Sequence, residues 1–313
     1  MDEAALLRLA TALRDRGYRF VTPTPATHAR VNSRPANAWA QRIEDVFGWS
    51  RPFRDGVLPD TLMALMHDAG VLVPVEHAEG QAWRSRVRLS SLSDMLFLHS
   101  AYPTEAANAV FFGPDTYRYA AAITPWLDNH AHAIRCAVDI GCGAGPGALL
   151  VARKWPEAEV IGVDINDAAL QLTRVNAMLS GAGNVAAQHS NVLSEVEGNF
   201  DLIVSNPPYL ADPAERAYRH GGGEFGAALS LAIVEAALER LAPGGALVLY
   251  TGVAIVKGVD PFQEAATEQL AGSNVTWSYR EVDPDVFGEE LEHGRYVQVD
   301  RIAAVVLTVK KGF

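Results

Sequence analysis

From about residue 133 to 309 the chain alternates apolar runs of strand length with helical segments. The runs fall at 133–140, 159–163, 184–187, 200–205, 246–251, 275–282 and 300–309, and helices are predicted at 146–154, 167–179, 226–241 and 260–271. Strands joined through helices pair in parallel, because the crossover consumes the chain that a tight hairpin would use. The predicted fold is therefore α/β, a mostly parallel seven-stranded sheet with helices on both faces. The last two runs have no helix between them, which predicts a final antiparallel pair.

The first hundred residues follow another pattern. An amphipathic helix is predicted over 3–15, with Leu6, Leu7, Leu9 and Leu13 near helical spacing. A Pro/Thr-rich loop over 21–36, a helix over 37–48 and a helix from Asp60 to a stop at Gly70 follow. Two apolar stretches, 71–75 and 83–89, read as strands. Helices followed by a hairpin resemble a winged-helix arrangement; a packing or dimerisation cap reads the same way. The predicted division is a smaller helical plus β-hairpin domain over 1–102, for substrate recognition, and the sheet-forming domain over 103–313. The joint contains the turn 111–117 and a helix to about Leu127.

Charge divides at nearly the same place. Residues 1–130 hold 13 Arg, no Lys and 14 Asp+Glu, a net of -1, and the remainder carries -10. A strongly basic nucleic-acid binder is disfavoured. Arg84, Arg86 and Arg88 alternate on a predicted strand, and are either a small basic patch or the solvated face of a hairpin. Cys136 and Cys142 are too few for a disulfide framework and have no Cys/His cluster beside them for zinc. No apolar run reaches the length of a membrane span and the N-terminus lacks a signal-peptide pattern, so a soluble cytoplasmic protein without membrane partners is expected. Nothing in the sequence fixes an oligomeric state.

Three constellations carry chemistry. Gly141, Gly143, Gly145 and Gly147 alternate between a strand and a helix, with Asp139 before them and Cys142 among them. Glycines there let the chain turn sharply and let a ligand approach the backbone. Asp164-Ile165 ends the next strand, about 20 residues on, where a carboxylate accepts both hydroxyls of a ribose; Asp164 or Asn166 as a helix cap is the plainer alternative. The strand over 200–205 runs into Asn206-Pro207-Pro208-Tyr209, and neither proline can donate to a ladder. An Asn side-chain oxygen and a rigid carbonyl can accept the two N–H donors of a planar nitrogen and stabilise charge growing on it. Tyr209 is placed to stack on such a group. Asn191-Val192 precedes this strand, where it could cap a turn. Gly221, Gly222 and Gly223 suggest a mobile lid. His220 reads as a surface residue, and 289–292 as a solvated acidic turn.

Residues of about 105–310 resemble class I S-adenosylmethionine-dependent methyltransferases with the Asn-Pro-Pro-Tyr signature, the branch of release-factor glutamine and ribosomal-RNA methyltransferases. The resemblance implies a Rossmann-like seven-stranded methyltransferase sheet and S-adenosyl-L-methionine as cofactor. It implies cofactor binding by Asp139, Gly141, Cys142, Gly143, Gly145, Asp164, Ile165, Asn191, Val192 and Asn206, and catalysis by Asn206, Pro207, Pro208 and Tyr209. Gly222-Gly223-Glu224-Phe225-Gly226 is similar to a segment downstream of that motif in protein-glutamine methyltransferases, and 111–116 to the segment that helps close the cofactor pocket. The Pro-Arg-Pro form typical of glutamine enzymes is replaced by Gly113-Pro114-Asp115-Thr116, which leaves the acceptor open. The implied reaction is N-methylation of a protein glutamine amide or a small-molecule amine; an RNA or DNA exocyclic amine is the alternative, and a non-catalytic binding module keeping the cofactor fold is another. A nicotinamide oxidoreductase fits a loose G-x-G-x-x-A pattern but leaves residues 206–209 unexplained.

Overall fold

A computed structural model of the protein describes residues 1–76, 81–130, 132–212, 214–216, 218–292 and 294–313. Helix α1 (Glu3–Asp15) starts where the Asp2 carboxylate accepts the Ala5 N–H at 2.7 Å, and it buries Leu6, Leu9 and Leu13. A second helix, α2 (Pro25–Asn32), lies inside the segment expected to be loop. Thr24 caps it and Pro25 fills the first turn, where a missing N–H costs nothing, so the Pro/Thr composition marks a helix start. The helix expected over 37–48 shrinks to α3 (Ile43–Phe47). Asp45 explains the loss: its carboxylate takes the Gln41 N–H at 3.0 Å and the buried Arg51 guanidinium at 2.8 Å, so side-chain bonds replace helical ones there.

Strands β1 (Phe53–Arg54), β2 (Leu72–Val75) and β3 (Ala82–Ser85) pair antiparallel in the order β1-β3-β2, with α4 (Asp60–Asp68) between the first two in sequence. Strands β4 (Val87–Leu92) and β5 (Met95–Ser100) make a separate hairpin. The expected strand through the three arginines is thus two strands broken at Arg86. Arg84 and Arg86 are exposed, whereas Arg88 turns inward and donates to the Gly48 carbonyl at 2.9 Å and the Thr22 hydroxyl at 3.2 Å. They share no face.

Helix α5 (Pro114–Asn129) leads into the sheet. Strands β6 (Cys136–Ile140), β7 (Glu159–Asp164), β8 (Val185–His189), β9 (Phe200–Ser205) and β10 (Leu241–Ile255) run parallel, joined through α6 (Pro146–Lys154), α7 (Asp167–Ser180) and α8 (Ala228–Arg240). After α9 (Pro261–Leu270), strands β11 (Val275–Asp283) and β12 (Arg301–Lys311) form the expected antiparallel pair. The seven strands lie in the order β11-β12-β10-β9-β6-β7-β8. From β6 the chain proceeds outward through β7 and β8, and from β9 outward the other way. That switch leaves a crevice at the carboxyl ends of β6 and β9, where ligands of open α/β sheets bind. No helix among the described residues is long and apolar enough to cross a membrane.

The N-terminal elements rest on α7. Leu6, Leu9 and Leu13 belong to the same apolar cluster as Leu172, Val175 and Leu179. Asn176, fully buried in α7, ties the two parts together. Its Oδ1 accepts the Leu98 N–H at 2.8 Å, and its Nδ2 donates to the Leu98 and Ala144 carbonyls at 3.0 and 2.8 Å. One side chain thereby holds the β5 edge and the glycine turn. Asn176→Ala would leave three buried backbone groups unpaired, at 1–3 kcal/mol for an unmade bond. A loss of about 3 kcal/mol in urea unfolding is expected; a change below about 1 kcal/mol would show that the tie is dispensable.

Candidate active site

The glycine turn is built on β6 and β7. Both the Gly141 and Cys142 N–H groups donate to the Val163 carbonyl, at 2.8 and 2.9 Å. Gly145, at φ +85°, lies behind the cleft wall and turns the chain into α6, with Pro146 in the first helical turn. Asp139 sits beneath the turn, 1% exposed, where one oxygen accepts the Ala148 N–H at 2.8 Å and the other the Tyr119 hydroxyl at 3.1 Å. Gly147 is required beside it, since a Cβ there would fall 2.2 Å from the Tyr119 hydroxyl. Asp139 therefore serves the cleft chiefly by fastening strand, turn and α5 together.

Asp164 ends β7 with both oxygens oriented: Oδ2 accepts the Gly143 N–H at 3.0 Å and Oδ1 the Asn166 N–H at 2.9 Å. The helix cap is supplied by Asn166, whose side chain accepts the Ala168 N–H at 3.0 Å, so capping does not account for Asp164. Ile165, 53% exposed, lies beside it in the cleft. Asn191 and Val192 line the same cavity. Their turn is held by Glu195, which accepts the Asn191 N–H at 2.9 Å, and Val192 has φ +56°, which a β-branched residue rarely adopts.

Beside the glycine turn, β9 delivers Asn206, Pro207, Pro208 and Tyr209 into the cleft. The Asn206 Oδ1 atom is buried and has no hydrogen-bond partner. Tyr209 does not lie open for stacking: its ring is buried, edge-on to Phe287 at 5.8 Å and against the Gly252 backbone. Its place is that of a support for the loop. Nor are the glycines after it a free lid. Gly221 donates to the Leu210 carbonyl at 2.9 Å, and Leu210 to the Arg219 carbonyl at 3.1 Å. A Cβ at Gly221 would fall 2.5 Å from the Pro208 carbonyl, and one at Gly226 2.2 Å from the Tyr209 carbonyl. These glycines are small so that the segment can lie directly on the Asn-Pro-Pro-Tyr backbone.

Asp212, Arg216 and Arg219 are further pinned by charge. Asp212 accepts from Arg216 through both oxygens, which holds its carboxyl down to about 2. Arg219, in the cleft wall, is paired with Glu290, which is 8% exposed and so is not part of a solvated turn. His220 is half-buried behind this wall, bridged to Leu210, and does not line the cleft. Asp115 lies in the segment 111–116 expected to help close the pocket, whereas the lining residues Tyr119, Tyr218 and Phe287 carried no expectation. Tyr119 had a findable signal beside Asp115, since positions i and i+4 of one helix share a face. Tyr218 and Phe287 had none, because long loops bring them in.

The arrangement fits a nucleoside cofactor carrying a reactive group. A main-chain-oriented carboxylate, an exposed apolar residue, a tight glycine turn and a residue with an unpartnered buried acceptor line one cleft. Burial raises the carboxyls of Asp115, Asp139 and Asp164, with Asp139 pushed up to about 7. The folded state then holds the Asp139 proton up to about pH 7, while the unfolded chain releases it near pH 3.9. Stability from this group is therefore complete below about pH 4 and is lost as pH rises through about 7. Asp139→Asn is expected to flatten that decline between pH 4.5 and 7.5 in about the same window, seen in thermal melts. An unchanged slope would refute the assignment.

Comparison with known proteins agrees with this geometry. Residues 120–254 match the family model described as methyltransferase small domain. A release factor glutamine methyltransferase of Deinococcus radiodurans is 37% identical over 174 residues, covering 52% of this chain and 57% of the relative. A 4-amino-L-phenylalanine/4-methylamino-L-phenylalanine methyltransferase of Streptomyces pristinaespiralis is 32% identical over 157 residues, covering 47% and 51%. The chain thus spans about half the length of the curated relatives it matches. Among solved structures, Methanocaldococcus jannaschii Trm5 in complex with adenosine shares the fold with a TM-score of 0.51 at 16% identity, covering 76% of this chain and 59% of that one. Sheet order, the glycine turn and the carboxylate ending β7 agree with the match of residues 120–254 to the methyltransferase small domain.

Proposed function

We propose that this chain transfers the methyl group of S-adenosyl-L-methionine to a planar nitrogen, in a protein glutamine amide or a small-molecule amine. The observation that carries the reading is the buried, unpartnered Asn206 Oδ1, next to two prolines in the cleft that Asp164 and the glycine turn also line. Buried acceptors are almost always paired, so an orphaned one on a residue that lines a cleft points to a donor that arrives with a ligand. When bound, the cofactor supplies a methyl group on a positively charged sulfur. Asp164 receives the ribose hydroxyls, the turn at Gly141, Cys142 and Gly143 faces the rest of the nucleoside, and Ile165, Asn191 and Val192 flank the base. Asn206 Oδ1 and the Pro207 carbonyl accept the two N–H groups of the acceptor. They hold its nitrogen toward the methyl and stabilise the positive charge that grows on it. Pro207 and Pro208 fix those acceptors in advance, so little orientation entropy is lost.

The relatives named for glutamine and for an aromatic amine support this acceptor class. Residues 1–102 are taken to select the acceptor. Nucleic acid ranks second because Arg88 is buried and the sheet-forming part is acidic. The protein is read as cytoplasmic, which two unpaired cysteines suit. Labelled methyl transfer to a cell extract, with protease- and nuclease-treated fractions compared, tests the reading. Label lost on protease treatment or found in small molecules supports it. Label lost on nuclease treatment overturns the acceptor class, and no label in any fraction overturns the enzymatic reading. Asn206→Ala is expected to lower turnover by about 10²–10³-fold, with the cofactor Kd within about threefold. Collapse of cofactor binding in titration calorimetry would contradict the assigned role.

A further inference from the structure

We propose that Asp115 is a positioning residue that sets which way the Asn206 side-chain amide faces. The proposal rests on the methyl-transfer reading of the same cleft. Asp115 lies in the first turn of α5, 7% exposed and in the cleft lining. A buried carboxyl ordinarily has a cationic partner. Arg118, one turn on, is instead paired with Asp283 at 2.8 Å. Asp115 is met by neutral donors. The Tyr250 hydroxyl, from the middle of β10, donates to its Oδ1 at 2.6 Å. The Asn206 amide and the Tyr209 hydroxyl also face it, and each opposes the rise in its pKa.

An amide can donate only through Nδ2. An Nδ2 turned to the Asp115 carboxylate leaves Oδ1 pointing elsewhere, and Oδ1 is the atom that is buried without a partner. The reversed amide would set Oδ1 against the carboxylate, acceptor against acceptor, and would offer Nδ2 to a nitrogen that itself carries N–H donors. Both contacts repel. The carboxylate thus keeps the amide in the one orientation that accepts from an acceptor nitrogen. Thr116, next to Asp115, fixes the start of α5 by accepting the Gly113 N–H at 3.3 Å. On acidification Asp115 gains a proton, becomes a donor toward Asn206 and no longer selects that orientation. Burial raises the pH at which this happens, opposed by Tyr250, Tyr209, Arg118 and Asn206.

Asp115→Asn, Asp115→Glu and Tyr250→Phe variants of the full chain decide the matter with two readouts. The first is the side-chain amide NMR signal of Asn206 in protein labelled with ¹⁵N asparagine, assigned by its loss in Asn206→Ala. It should move with the titration of Asp115 in the native chain and be pH-independent in Asp115→Asn. The second is methyl transfer to the labelled fraction, against cofactor Kd. Asp115→Asn should lower kcat by about 10²-fold with Kd within about threefold, and remove the acid limb of the pH profile. Asp115→Glu should restore part of kcat, and Tyr250→Phe, which removes a donor that favours the charged Asp115, should move the acid limb to higher pH. An Asn206 signal that ignores Asp115, or a parallel fall of kcat, cofactor affinity and melting temperature, would overturn the proposal. If the native chain methylates nothing, the functional reading fails, and the amide signal still decides the orientation.

Discussion

A buried carboxyl fastens the three elements from which the cleft is made. Asp139 belongs to β6, takes the Ala148 N–H of α6 and receives the Tyr119 hydroxyl of α5. Each bond is ordinary in length, but none of the partners can reach water, so leaving any unmade would cost more than making it gains. The glycine turn between β6 and α6 can be glycine-rich, and so intrinsically loose, because its two ends are fixed in this way. Asp164 and Asn176 continue the pattern: a side chain on one element satisfies backbone groups of the turn.

Helix α5 gives this fastening its reach. Asp115 and Tyr119 lie one helical turn apart, and one faces the Asn206 loop while the other faces Asp139. The N-terminal elements hold the helix in place. Phe112 stacks near His99 and Phe97 of the β5 strand, and the Tyr117 hydroxyl accepts the Thr22 N–H at 3.1 Å. Residues before the sheet thus help to shape the cleft, in addition to any part they take in choosing an acceptor. On the far side, the Asp212–Arg216 and Arg219–Glu290 pairs stiffen the wall after the Asn-Pro-Pro-Tyr loop. Such pairs resist salt better than exposed ones because they are shielded from solvent.

Most of the sheet was legible from residues 133 onward, since strand runs and helical segments differ in length and period. The N-terminal part was less so. Pro25 disguised a helix start as a loop, and Asp45 diverted a helical pattern by bonding the chain sideways. The three arginines illustrate the limit of alternation: period two predicts a shared face only while the strand stays paired, and pairing stops at Arg86. Glycine counts misled in a similar way. Gly221 and Gly226 read as freedom, but in the structure they permit a close approach of two backbones.

The sequence by itself determined the α/β order, the glycine turn, the carboxylate ending β7 and the Asn-Pro-Pro-Tyr loop ending β9, because each depends on local pattern and on chain chemistry within a few residues. Tertiary structure alone decided which groups share the cleft. Asp115 meets residues more than ninety positions away, Glu290 meets Arg219 across seventy, and Arg88 finds its acceptors in segments that carry no motif. Such partners are chosen by burial, which leaves each polar atom to find whatever complementary group the packed chain has brought within reach.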